Sequence, residues 1–96
     1  MNTTPAMSTP LRKLAERFSE TAIDDEIVVM QLDTGVFFSL SGTGRAIWLL
    51  LDGTRDRAAL LTALAESYNR TADKLAPEVD AFIAQLIEAG LIEAIN

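Results

Sequence analysis

Apolar positions along this 96-residue chain keep one period up to about residue 40 and another after it. The first half has the period of strands. Phe18 to Ile23 reads as a short strand ended by the acidic turn Asp24-Asp25-Glu26, and Ile27-Val28-Val29-Met30-Gln31-Leu32 is a β-branched run of strand length. Asp33-Thr34-Gly35 supplies turn chemistry, with Gly35 free to take positive φ. Val36-Phe37-Phe38-Ser39-Leu40 is the third strand. Alternation sends Val36, Phe38 and Leu40 to one face and Phe37 and Ser39 to the other. Together these runs predict a small antiparallel meander.

The second half has helical spacing. Ile47, Leu50 and Leu51 recur on one face with Trp48 beside them, and Asp52-Gly53 stops this helix. Trp48 is expected in the core. Thr54 is the expected N-cap of a second helix, with Asp56 in its first turn and Leu60, Leu61, Leu64, Ala65 and Tyr68 as its apolar stripe. Asn69-Arg70-Thr71 breaks the pattern. A third helix is expected with Pro77 in its first turn and Gly90 at its C′ position. Its apolar positions are Val79, Phe82, Ile83, Leu86 and Ile87, with Leu91 just beyond. Leu11 to Arg17 carries only a weak helical signal, so residues 1–15 are expected to be a flexible tail and 16–96 one domain. The predicted class is α+β, winged helix-turn-helix-like: an N-terminal three-stranded antiparallel sheet followed by three helices.

Composition narrows the chemistry. The chain is 49% hydrophobic, enough for one core, and holds neither cysteine nor histidine. Disulfides and thiolate metal sites are thereby excluded, and the commonest general base and metal ligand are missing. The adjacent acids Asp24, Asp25 and Glu26 point in different directions and read as a solvated turn. No catalytic residue, metal ligand or cofactor is expected, and the protein is read as a non-enzyme. The longest apolar run, Ala46-Ile47-Trp48-Leu49-Leu50-Leu51, is far shorter than a membrane span, and MNTTPAMSTP at the N-terminus has no signal-peptide core. A cytoplasmic protein with no membrane partner is the expectation.

Charge matters for partners. The net charge of −6 repels phosphates. Between Pro77 and Ala89 the third helix carries Glu78, Asp80 and Glu88, a single Gln85 and no Arg or Lys, so it is not fitted to read nucleic acid. Ser41-Gly42-Thr43-Gly44 lacks the lysine of a phosphate loop and the third glycine of a dinucleotide fingerprint. It reads as a helix entry in which Ser41 or Thr43 accepts an orphan N–H. The edge strand Val36–Leu40 remains. A peptide covers such an edge by adding a strand, with backbone hydrogen bonds for affinity and neighbouring pockets for specificity. Val79, Phe82 and Leu86 suffice for the core stripe of the third helix, which leaves Ile83 and Ile87, with Ala84, to line a groove; the pattern equally allows both isoleucines to be core.

Gly35-Val36-Phe37-Phe38-Ser39-Leu40-Ser41, then Gly44-Arg45-Ala46-Ile47-Trp48, Leu51-Asp52-Gly53, Tyr68, Val79-Asp80, Phe82-Ile83, Leu86 and Gly90-Leu91 form an ordered set. From about Phe18 to Ile92 this set resembles the PqqD-like family, in which Asn often stands where Ser41 stands here. The resemblance implies a RiPP recognition element, a non-catalytic chaperone for ribosomally made precursor peptides. Such proteins bind the leader segment as an added strand against the third strand, beside the third helix. They present it to a modifying enzyme, such as a radical-SAM maturase in pyrroloquinoline quinone synthesis or a leader peptidase in lasso-peptide pathways. Carried onto this chain, the peptide-binding residues are Val36, Phe37, Phe38, Ser39 and Leu40 on the strand, and Asp80, Ile83, Ala84 and Ile87 on the helix. Asp80 is expected to meet a basic or hydrogen-bonding leader residue. Two alternatives stand beside this reading. One is a winged-helix DNA-binding regulator that uses Arg12, Lys13 and Arg17; the other is a structural subunit that buries the same edge in a homodimer.

Overall fold

A computed structural model describes residues 10–95 of the chain; most of the segment expected to be a tail lies outside them. The meander consists of β2 (Phe18–Ile23), β3 (Glu26–Gln31) and β4 (Phe37–Leu40), preceded by a short β1 (Leu11–Lys13) and a 3-10 turn at Ala15–Arg17. Three helices follow, α1 (Gly42–Leu50), α2 (Arg57–Tyr68) and α3 (Ala72–Glu88), and then β5 (Ile92–Ala94). The α+β fold expected from the periodicity, a three-stranded antiparallel sheet followed by three helices, is the one found.

The sheet has the order β2-β3-β4. Ile27 lies opposite Leu40 and Val29 opposite Phe38, which puts the buried residues of β3 and β4 on the face that the helices cover. The turn between them is built around Gln31. Its backbone N–H donates to the Val36 carbonyl and its own carbonyl accepts from Gly35, so two residues oppose one, a bulge with Gly35 at φ +75°. The Gln31 side chain is buried, and its Oε1 accepts from the backbone N–H groups of Asp33 (2.6 Å) and Thr34 (3.2 Å). One amide thus closes the turn that starts β4.

Trp48 sits at the centre of the core with no exposed surface, its ring met edge-on by Phe18 at 5.2 Å between centroids. The Lys13 ammonium lies 4.6 Å above the same ring, and its burial there lowers the lysine pKa, with Glu20 and Asp52 opposing the shift. Leu60, Leu61 and Leu64 bring α2 to this core, whereas Tyr68 ends outside it.

Four local expectations are corrected. Leu11–Lys13 is neither tail nor helical turn: it pairs antiparallel with Ile92–Ala94, and Leu11 is fully buried. A three-residue strand has too little sequence to show a period, so only its distant partner reveals it. The N-cap of α2 is Asp56, whose side chain accepts from the Ala59 N–H at 2.9 Å; Thr54 instead donates its hydroxyl and N–H to Asp52. Ser41 does occupy the N-cap position of α1, but no side-chain capping bond forms there. Finally, α3 begins at Ala72, five residues before Pro77. Burial of Leu75 and Val79 on one stripe holds the helix through the proline, although its ring removes a donor and crowds the preceding turn.

Candidate functional site

β4 is an edge strand. The bond from the Gln31 N–H to the Val36 carbonyl sets the phase of the β3–β4 ladder, and alternation then turns the N–H and C=O of Phe38 and Leu40 toward β3. The N–H and C=O of Phe37 and Ser39 therefore point outward, and no described strand pairs along that side. Their side chains lie on the sheet face away from the helices. Phe37 is 66% exposed there, and the Ser39 hydroxyl donates to Glu26 Oε1 at 2.8 Å. On the opposite face Leu40 is buried and Phe38 is half-buried.

Beside this edge runs a shallow groove whose strand side is Phe38 and whose helix side is Gln85 and Glu88 of α3 with Ala89 at its C-cap. Phe82, one turn earlier on the same flank, packs against the α1 entry: a Cβ at Gly44 would stand 3.5 Å from its ring. The far end is pinned where α3 stops. Gly90 takes φ +77°, as its expected C′ role requires, and a Cβ there would lie 3.2 Å from Gln31 Nε2. The amide that shapes the β3–β4 turn therefore also abuts the end of α3, which sets the spacing between strand and helix.

The residues expected on the helix wall fall elsewhere. Ile83 is 5% exposed and belongs to the core, so the core reading of that position holds. Asp80, Ala84 and Ile87 share the other flank of α3, at spacings of four and three residues. There Asp80 is tied to α2: Arg57 Nε and Nη2 donate to its two carboxylate oxygens at 2.5 and 3.0 Å. Those hydrogen bonds hold the Asp80 carboxyl below its ordinary value and raise Arg57, with burial opposing both shifts. The strand half of the expected site, Val36 to Leu40, does line the open edge. Gln85, Glu88 and Ala89 were missed as groove residues because two are polar and the third is an alanine just past the helix, so none extends its apolar stripe. In the sequence Gln85 stands out only as the single amide of the third helix.

The basic residues near the N-terminus do not form a patch. Arg12 pairs with Glu93, Arg17 pairs with Asp33 at 3.2 Å, and Lys13 is spent on Trp48. Among the described residues no helix is long and apolar enough to cross a membrane.

Comparisons with known proteins bear on this cleft. A family model described as coenzyme PQQ synthesis protein D (PqqD) matches residues 26–92, a stretch that runs from the first residue of β3 to the first of β5. A solved structure, TbiB1 in complex with the TbiA(beta) leader peptide, is similar to the chain at 26% identity. The TM-score is 0.75, and the match covers 88% of this chain and 98% of that one. No curated protein matches the chain.

Proposed function

This chain belongs to the PqqD family, and we propose that it is a non-catalytic adaptor that binds the leader segment of a ribosomally made precursor peptide. The leader adds as a strand along β4, beside α3, and the adaptor then presents the precursor to a modifying enzyme such as a radical-SAM maturase or a leader peptidase. Precursor and adaptor meet in the cytoplasm. The observation that carries this reading is the outward-facing backbone of Phe37 and Ser39 next to a groove walled by α3. The likeness to TbiB1, solved with a leader peptide, supports it.

Magnitudes show what such a leader must supply. Two outward residues provide two donors and two acceptors, and at a net of about 1 kcal/mol per hydrogen bond they contribute about 4 kcal/mol. Even before the entropy lost on association is subtracted, that corresponds to a dissociation constant no tighter than about 1 mM. Tighter binding requires side chains that cover Phe37 on one face and enter the groove over Phe38 and Ala89 on the other.

Ser39→Pro tests the mode of binding. The ladder phase turns the Ser39 N–H away from β3, so proline there removes an outward donor without breaking a β3–β4 bond. Calorimetric titration with a leader found among short reading frames neighbouring the gene should show at least a tenfold loss, with the circular dichroism of a folded protein. A folded Ser39→Pro variant that binds as tightly as the parent would place the peptide elsewhere.

A further inference from the structure

Both faces of the β4 cleft carry a carboxylate with no ion-pair partner among the described residues. Glu26 lies on the face away from the helices, and the Ser39 hydroxyl holds its Oε1 beside the open edge. Glu88 lines the groove on the helix face. Four of the eight Lys and Arg side chains are paired elsewhere: Arg12, Arg17, Arg55 and Arg57 with Glu93, Asp33, Asp52 and Asp80. Lys13 sits over Trp48, and Arg70 and Lys74 line a separate concavity where α2 turns into α3. Arg45, in the first turn of α1, forms no ion pair, and neither Glu26 nor Glu88 has an ion-pair partner among the described residues.

We propose, on the strand-addition reading above, that the segment accepted at this edge is basic as well as apolar. It carries a Lys or Arg for Glu26 and, two positions away, an apolar residue for Phe37. The spacing follows from the strand. Phe37 and Ser39 are two residues apart on one face, and the residues of an added strand that flank them are two apart on the same face. An added strand lies about 10 Å from β3, two strand spacings, a gap that a Lys or Arg and a Glu side chain bridge by reaching toward each other over Ser39. The apolar neighbour covers Phe37, the most exposed large hydrophobic residue of the sheet. The intervening residue faces the helix, over Phe38, where Glu88 favours a second cation or a hydrogen-bond donor.

The test uses a displayed library of random short peptides, selected on the full chain. Enriched peptides should carry Lys or Arg two positions from an apolar residue. A synthetic peptide of enriched sequence should bind Glu26→Gln about two- to fivefold more weakly than the parent, the range of a rim ion pair. A fresh selection on Glu26→Lys should replace the cation by Asp or Glu. Peptides that lose binding to folded Ser39→Pro but show no cation preference, and bind Glu26→Gln as they bind the parent, overturn this inference and leave strand addition standing. Peptides that bind Ser39→Pro as well as the parent, or a library that yields no binder, overturn strand addition and this inference with it.

Discussion

Asp80, Ala84 and Ile87 run along one flank of α3, and Phe82, Gln85 and Ala89 along the other. Both flanks border the same buried stripe of Val79, Ile83 and Leu86. The first holds the greater share of exposed aliphatic surface, with Ile87 41% exposed, yet its neighbour is α2, to which Arg57 binds Asp80. The second carries Phe82, Gln85 and Ala89, and its neighbour is the open strand. Apolar excess on a helix marks what it packs against as readily as what it binds. The difference between the flanks comes from the elements beside them.

The most forceful way to break the comparison is to remove the platform that both flanks share. Trp48→Ala should cost about 3–5 kcal/mol, a large part of the stability of a small domain, because the ring is wholly buried and contacts Phe18. Chemical denaturation followed by circular dichroism measures it. A variant that unfolds at the parent's midpoint would contradict the buried position of the ring.

A matched pair of substitutions sharpens the comparison. Ala89→Trp fills the groove between α3 and Phe38, whereas Ala84→Trp adds the same bulk to the exposed flank beside Asp80. The first should weaken leader binding at least tenfold, about 1.4 kcal/mol, and the second should leave it within twofold. Equal losses, or a larger loss from Ala84→Trp, would return the binding face to the isoleucine flank.

The smallest effect probes what the first flank does instead. A double-mutant cycle on Arg57 and Asp80 should give a coupling of about 0.5 kcal/mol, modest because half of the carboxylate side chain is exposed. Its pH dependence has a definite sign. The folded state depresses the Asp80 pKa, so the contribution is complete above the ordinary carboxylate value of 3.8 and is lost as pH falls below it. A coupling that persists in acid, measured by urea titration at several pH values, would show that the pair is not ionic.

Periodicity along the chain determined the strands and helices well. β2 spans Phe18–Ile23 as expected, and β3 and β4 differ from expectation by one residue at their ends. Gly35 and Gly90 were identified from turn and cap chemistry, which is local, and both take positive φ. The open strand was likewise legible, since it follows from the order of elements and the alternation of Val36 to Leu40. What only tertiary structure decided is whatever depends on a distant neighbour. Leu11–Lys13 becomes a strand because Ile92–Ala94 lies beside it, and α3 runs through Pro77 because Leu75 and Val79 meet a core. Gln31 becomes a hinge pin because Gly90 arrives next to it. The choice between the flanks of α3 belongs to the same class. Hydrophobic spacing fixes the direction of the buried stripe but is symmetric about it, and only the packed positions of α2 and β4 assign its two sides.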